Sequence, residues 1–132
     1  MIAISNDALY QRFLSACELQ AVLDCNLLNA LRTVNAFCFH LEHGEMKPFY
    51  ERFALARNLS TAATEAMKAA AWSLLDRDHV ETFFRLVDQS CREAVGALDF
   101  AIAQRDDDRF PPFRDRLKAA SARANSVSVG TL

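Results

Sequence analysis

Apolar residues recur at three- and four-residue steps along almost the whole chain, and no segment alternates apolar with polar residues beside a turn dipeptide. In the first third the series is Leu9, Phe13, Ala16, Leu23, Leu27, Leu31, Val34, Cys38 and Leu41, interrupted by Gln20. At about 3.6 residues per turn such positions share one side of a helix, whereas a strand needs a period of two. Only three glycines and three prolines punctuate the 132 residues, too few for the turns of a small β-protein. With 52% of its residues apolar, the chain can bury enough surface to offset its ordering entropy, which excludes disorder as the main state. The expected fold is all-α: an antiparallel bundle of four to five helices with a short basic C-terminal helix and a flexible tail.

Local signals suggest where the helices begin and end. Asn6 or Asp7 can cap a helix that opens at Ala8 and runs to His43-Gly44, where glycine would take the C′ position. Neither glycine nor proline marks a break near Asp24-Cys25-Asn26, so one long or bent helix is favoured over two. Pro48 suits the first turn of a second helix ending at Asn58. Ser60 or Thr61 would then cap an alanine-rich third helix reaching Leu75. Asp78-x-x-Glu81 has the form of a capping box, and Val80, Phe83, Phe84, Val87, Cys91, Ala94, Val95, Leu98, Ala101 and Ile102 follow at near-heptad spacing. After Asp106-Asp107-Asp108, Pro111-Pro112 starts a last helix to about Ala122, and Asn125 to Leu132 reads as a disordered tail. The organisation expected is a bundle core over 1–108 and a basic, aromatic C-terminal helix with its tail over 109–132.

Charge is distributed unevenly. Residues 1–44 carry two basic side chains (Arg12, Arg32) and four acidic ones (Asp7, Glu18, Asp24, Glu42), few for a helix with a solvent face. Phe37 and Phe39 lie about 200° apart around a helix and cannot both enter one narrow core. A helix apolar around its circumference is either enclosed by its own neighbours or covered by another molecule. From Arg109 onward five basic residues (Arg109, Arg114, Arg116, Lys118, Arg123) face Asp115 alone, interleaved with Phe110 and Phe113.

Most chemistries lack their residues. Gly44, Gly96 and Gly130 stand singly, so neither a P-loop nor a dinucleotide fingerprint can form, and no cofactor is expected. Cys17, Cys25, Cys38 and Cys91 contain no C-x-x-C pair, which argues for free reduced thiols rather than zinc ligands. His40–His43 and Asp76–His79 have a helical i, i+3 spacing but no matching Glu-x-x-His element, so no metal is expected. His40-Leu41-Glu42-His43-Gly44 is similar to the His-x-x-Lys-Gly core of histidine-phosphotransfer domains, with His43 in the lysine's place and Glu42 adding unwanted negative charge. Arg32 and His40 stand too far apart for the Arg–His element of HEPN-type ribonucleases. No elbow motif places a nucleophile.

Reduced thiols and MIAISNDALY, which has no positive stretch before an apolar run, imply a cytoplasmic protein that meets no membrane. The function expected is non-enzymatic: an inhibitor, adaptor or chaperone-like regulator that binds another protein, as a homodimer, through an apolar helix face. Its expected contact residues are Phe37, Phe39, Arg109, Phe110, Phe113, Arg114, Arg116 and Lys118. The alternatives are a nucleic-acid-associated protein using the basic C-terminal segment and, third, a metal- or phosphate-handling bundle at His40/His43, with His79.

Overall fold

A computed structural model describes the backbone of residues 2–38, 43–72 and 77–130, and the side chains of 10–38, 45–71 and 77–126. The described residues form four helices and no strand: α1 (Ile2–Phe37), α2 (His43–Trp72), α3 (Arg77–Gln104) and α4 (Pro111–Gly130). None of them is long and apolar enough to cross a membrane.

Cross-helix pairs define the topology. Cys17 meets Met67 and Asn35 meets Tyr50, so residue numbers rise along α1 as they fall along α2. The same inversion relates α2 to α3 (Arg52 to Glu93, Ala56 to Ser90) and α3 to α4 (Asp88 to Ser121, Asp99 to Arg114). Sequential neighbours are therefore antiparallel, and α1 closes the ring on α4 through Glu18 and Arg123. Among the described residues the backbones of α2 and α4 do not approach one another, while those of α1 and α3 meet across the centre, so the section is a flattened diamond.

Seven-residue repeats build the core. Fully buried positions recur as Phe49, Ala56, Ala63, Ala70 on α2 and as Val80, Val87, Ala94, Ala101 on α3. Such spacing keeps each stripe facing its neighbours, as in coiled-coil packing. Because alanines and Ser90 fill the middle of the face that α2 and α3 share, this pair approaches most closely of all. The Ser90 hydroxyl donates across it to the Ala56 carbonyl at 2.7 Å, a bond that a large side chain would block. Gly96 leaves room for a side chain rather than for backbone: the Arg52 guanidinium lies where a Cβ would be and reaches Glu93. Where α1 joins, the filling is larger: Leu19, Leu23, Leu27 and Val34 pack with Phe49, Phe53, Phe83 and Phe84 in one cluster.

Several boundaries differ from those expected. The first helix starts at Ile2 rather than Ala8 and ends at Phe37, before Gly44. Gly44 falls in the first turn of α2, and Pro48 is that helix's sixth residue, where its missing N–H costs a single intrahelical bond. The segments expected as separate helices around Asn58 and Ser60 are one. Ser60 turns its hydroxyl to α1 instead of capping, and the Thr61 and Thr64 hydroxyls bond the carbonyls four residues back, inside the helix. Glu81 of the expected capping box is drawn to Arg12 of α1. Helix α4 continues past Ala122, because Leu117, Ala120 and Ala124 prolong its buried stripe and no proline intervenes. Phe39, His40 and Asp76 lie outside the described residues, as does the side chain of His43.

Two substitutions separate packing by closeness from packing by bulk. Ala97, fully buried seven residues after Ser90, has no room to grow, so Ala97→Leu is expected to cost about 1–3 kcal/mol. Phe84→Ala, which empties the junction of α3 with α1, is expected to cost about 3–5 kcal/mol. Urea unfolding of both variants reads these values directly.

Candidate functional site

Helix α1 has two apolar faces, and only one of them is inside. The inner face carries Ala16, Leu19, Leu23, Leu27, Ala30 and Val34, all buried. On the outer face Tyr10 is 49% exposed, Leu14 39%, Val22 40% and Leu28 46%. Among the described residues only Leu55 of α2 joins them as an exposed large apolar side chain, so the greasy surface is concentrated on one helix. Exposed Ala21 and Cys25 fill the line between Leu14 and Leu28, and the steps of seven, four and three keep all four on one side.

Polar ties on the inner face fix which side of α1 points out. The buried Gln20 amide donates to Ser60 Oγ at 3.0 Å and to Asp24 Oδ1 at 3.1 Å, and the Ser60 hydroxyl donates to Asp24 at 2.8 Å. Arg12, also buried, pairs with Glu81 and lies over the Phe84 ring at 5.7 Å. Rolling α1 to hide Leu14 and Leu28 would break these bonds and strand buried polar groups, each costing about 1–3 kcal/mol. The outer face stays outward for that reason.

The C-terminal segment borders this face. Asp107 folds the connection between α3 and α4: its carboxylate accepts from the Arg109 amide at 2.9 Å and from the side chains of Arg105 and Arg109. Those donors, the Arg109 amide foremost, hold the Asp107 carboxyl below its ordinary value of 3.8. Arg109 then lies over the Phe37 ring at 3.9 Å. Along α4, Arg116, Lys118 and Arg123 are exposed, and Arg123 reaches Glu18 of α1 at 3.3 Å. Between the two helices runs a groove of about 260 Å³ lined by Leu19, Val22, Asn26, Arg116, Ala119 and Arg123. An apolar floor with cationic edges results.

The contact residues expected from sequence separate into distinct roles. Phe110 is fully buried in the core and offers nothing to a partner. Phe37 and Arg109 are engaged with each other, and half-buried Phe113 has Arg116 near its ring at 5.7 Å. Arg114 is held by Asp99 and Asp115. Exposed Arg116 stands at the rim of the groove, whereas Lys118 lies on the opposite side of α4, beside Arg92 and Val95 of α3; Phe39 lies outside the described residues. Tyr10, Leu14, Val22 and Leu28 are not among the contacts expected from sequence, although their spacing interleaves with the inner stripe.

Little else in the described residues suggests chemistry. No group of three or more His, Cys, Asp or Glu there is arranged to hold a metal. Burial raises the thiol pKa of Cys17, of Cys38 and most strongly of Cys91, which with help from Asp88 is pushed up to about 12. Cys25 alone is exposed. In dilute neutral solution a thiol reagent is therefore expected to label Cys25 rapidly and Cys91 only on unfolding, as counted by mass spectrometry. Asp107 makes a second prediction. Its lowered pKa contributes stability above the ordinary carboxylate range that is lost as pH falls through the folded value. Melting temperature should thus drop on acidification below about pH 4, and Asp107→Asn should flatten that drop.

No protein family matches the chain, and no curated protein or solved structure does.

Proposed function

We propose that the chain is a non-enzymatic protein-binding module of the cytoplasm, an inhibitor, adaptor or chaperone-like regulator, that works by burying the outer face of α1. One observation carries the reading: four large apolar side chains stand in water on a helix whose roll is fixed by buried polar bonds. A contiguous apolar strip with a charged rim is the usual anatomy of an interface, in which apolar anchors supply affinity and rim charges supply orientation. Arg116 and Arg123 would supply that rim.

The nucleic-acid alternative draws on the same cations and is the weaker for it. Arg109, Arg114 and Arg123 already face carboxylates, which leaves Arg116 and Lys118. Since each neutralised phosphate contributes about −0.9 to the salt slope on a duplex, two cations give only feeble binding.

Photocrosslinking tests the proposal. A benzophenone amino acid placed at Leu14 or Leu28 is expected to give light-dependent adducts with protein in the native cells, and the same group at exposed Gln89 on α3 is expected to give none. Equal yields at all three positions, or no adduct at any, would overturn it.

A further inference from the structure

Resting on that reading, we infer that the occupant of the outer face is a second copy of this chain, its α1 packed antiparallel across a two-fold axis near Cys25.

The register of charge on the strip points there. Glu18, Cys25 and Arg32 are exposed and seven residues apart, so they form one line along α1, while Leu14, Ala21 and Leu28 form a second line beside it. Together they make the three-and-four pattern of a coiled-coil seam. Glu18 and Arg32 lie equally far from Cys25 on opposite sides. A copy laid parallel would set Glu18 on Glu18 and Arg32 on Arg32. A copy laid antiparallel about Cys25 sets each Glu18 against the partner's Arg32, twice over, as an isologous contact requires. A uniformly acidic partner would have Glu18 against it, and a uniformly basic one Arg32.

The rest of the strip agrees. Arg32 makes no ion pair among the described residues, and Glu18 reaches only the exposed Arg123. At the centre, Ala21 and Cys25 are small enough for close helix approach. The seam from Leu14 to Arg32 is about 27 Å long at 1.5 Å per residue. At about 10–12 Å wide it covers less than the roughly 800 Å² per partner of a standard interface. The dimer is consequently a concentration-dependent one.

Sedimentation velocity from micromolar to millimolar protein tests this, alongside diamide oxidation. The wild type is expected to pass from monomer to dimer, and diamide should join two copies through Cys25, identified by peptide mass spectrometry and lost in Cys25→Ser. Glu18→Arg and Arg32→Glu should each weaken association about tenfold by setting like charges together, and the double reversal should restore it. Melting curves of the exposed-site variants check that the fold is intact. A chain that stays monomeric, a dimer indifferent to both reversals, or a crosslink through another thiol would overturn the proposal. If the position-28 photoadduct then contains a different protein, the second copy is excluded and the protein-binding reading stands; if no adduct forms, both fall.

Discussion

A helix packed against neighbours on one side hides about half of its circumference, and α1 is apolar on both halves. Every other feature of the candidate surface follows from that mismatch. What decides which half is hidden is polar rather than apolar. Gln20, Asp24 and Ser60 bond one another between α1 and α2, and Arg12 is paired against α3, while Gln20 Oε1 and Arg12 Nε stay buried without a hydrogen-bond partner among the described residues. Leucines tolerate a slipped or rotated helix with modest loss; buried amides and guanidinium groups do not, because an unmade bond leaves them without water as well. These few polar side chains orient a helix whose hydrophobicity alone would leave its roll undetermined.

The tight pairing of α2 with α3 prepares the place for that helix. Alanines at heptad spacing, with Ser90 bonded to the Ala56 carbonyl, bring the two backbones together and leave the phenylalanines near the ends of the contact to project toward α1. Helix α1 therefore rests on bulky side chains rather than close against backbone, and presents its far side to solvent. The Asp107 turn sets the approach of α4, clamping Arg109 over Phe37 and bringing Arg116 and Arg123 alongside the apolar strip. Bundle geometry thus places the cations where they border the surface without crossing it.

Helical class and bundle architecture were legible because they rest on periodicity, which needs no knowledge of partners. The near-heptad run from Val80 to Ile102 became the most completely buried stripe, and Pro111 opened the last helix as expected. Boundaries were less legible, since the same residues serve caps and interiors. Ser60 reads as a cap in sequence, yet its hydroxyl is used by a helix thirty-six residues away. Gly44 reads as a stop, and sits in the opening turn of α2. The low charge of the first third is plain in the sequence, but which of its residues are exposed is not. Arg12, Gln20 and Asn26 look like solvent positions and point inward, while Leu14, Val22 and Leu28 look like core positions and point outward. Phe110 misled in the opposite direction: flanked by arginine and proline it resembles a surface anchor, whereas its three- and four-residue relation to Leu117, Ala120 and Ala124 puts it in the core.

The central claim is that the outer strip of α1 serves association and not folding. Chemical unfolding of the triple variant Leu14→Gln, Val22→Gln, Leu28→Gln in dilute solution, beside melting at rising protein concentration, tests it most directly. Substitutions on a true surface each change stability by within about 0.5 kcal/mol. The account predicts an unfolding free energy close to that of the wild type, together with loss of the rise in melting temperature with concentration that association confers. A loss of about 2–5 kcal/mol or more in dilute solution, the scale of a truncated core leucine, would mean that the strip is part of the fold and would contradict the account.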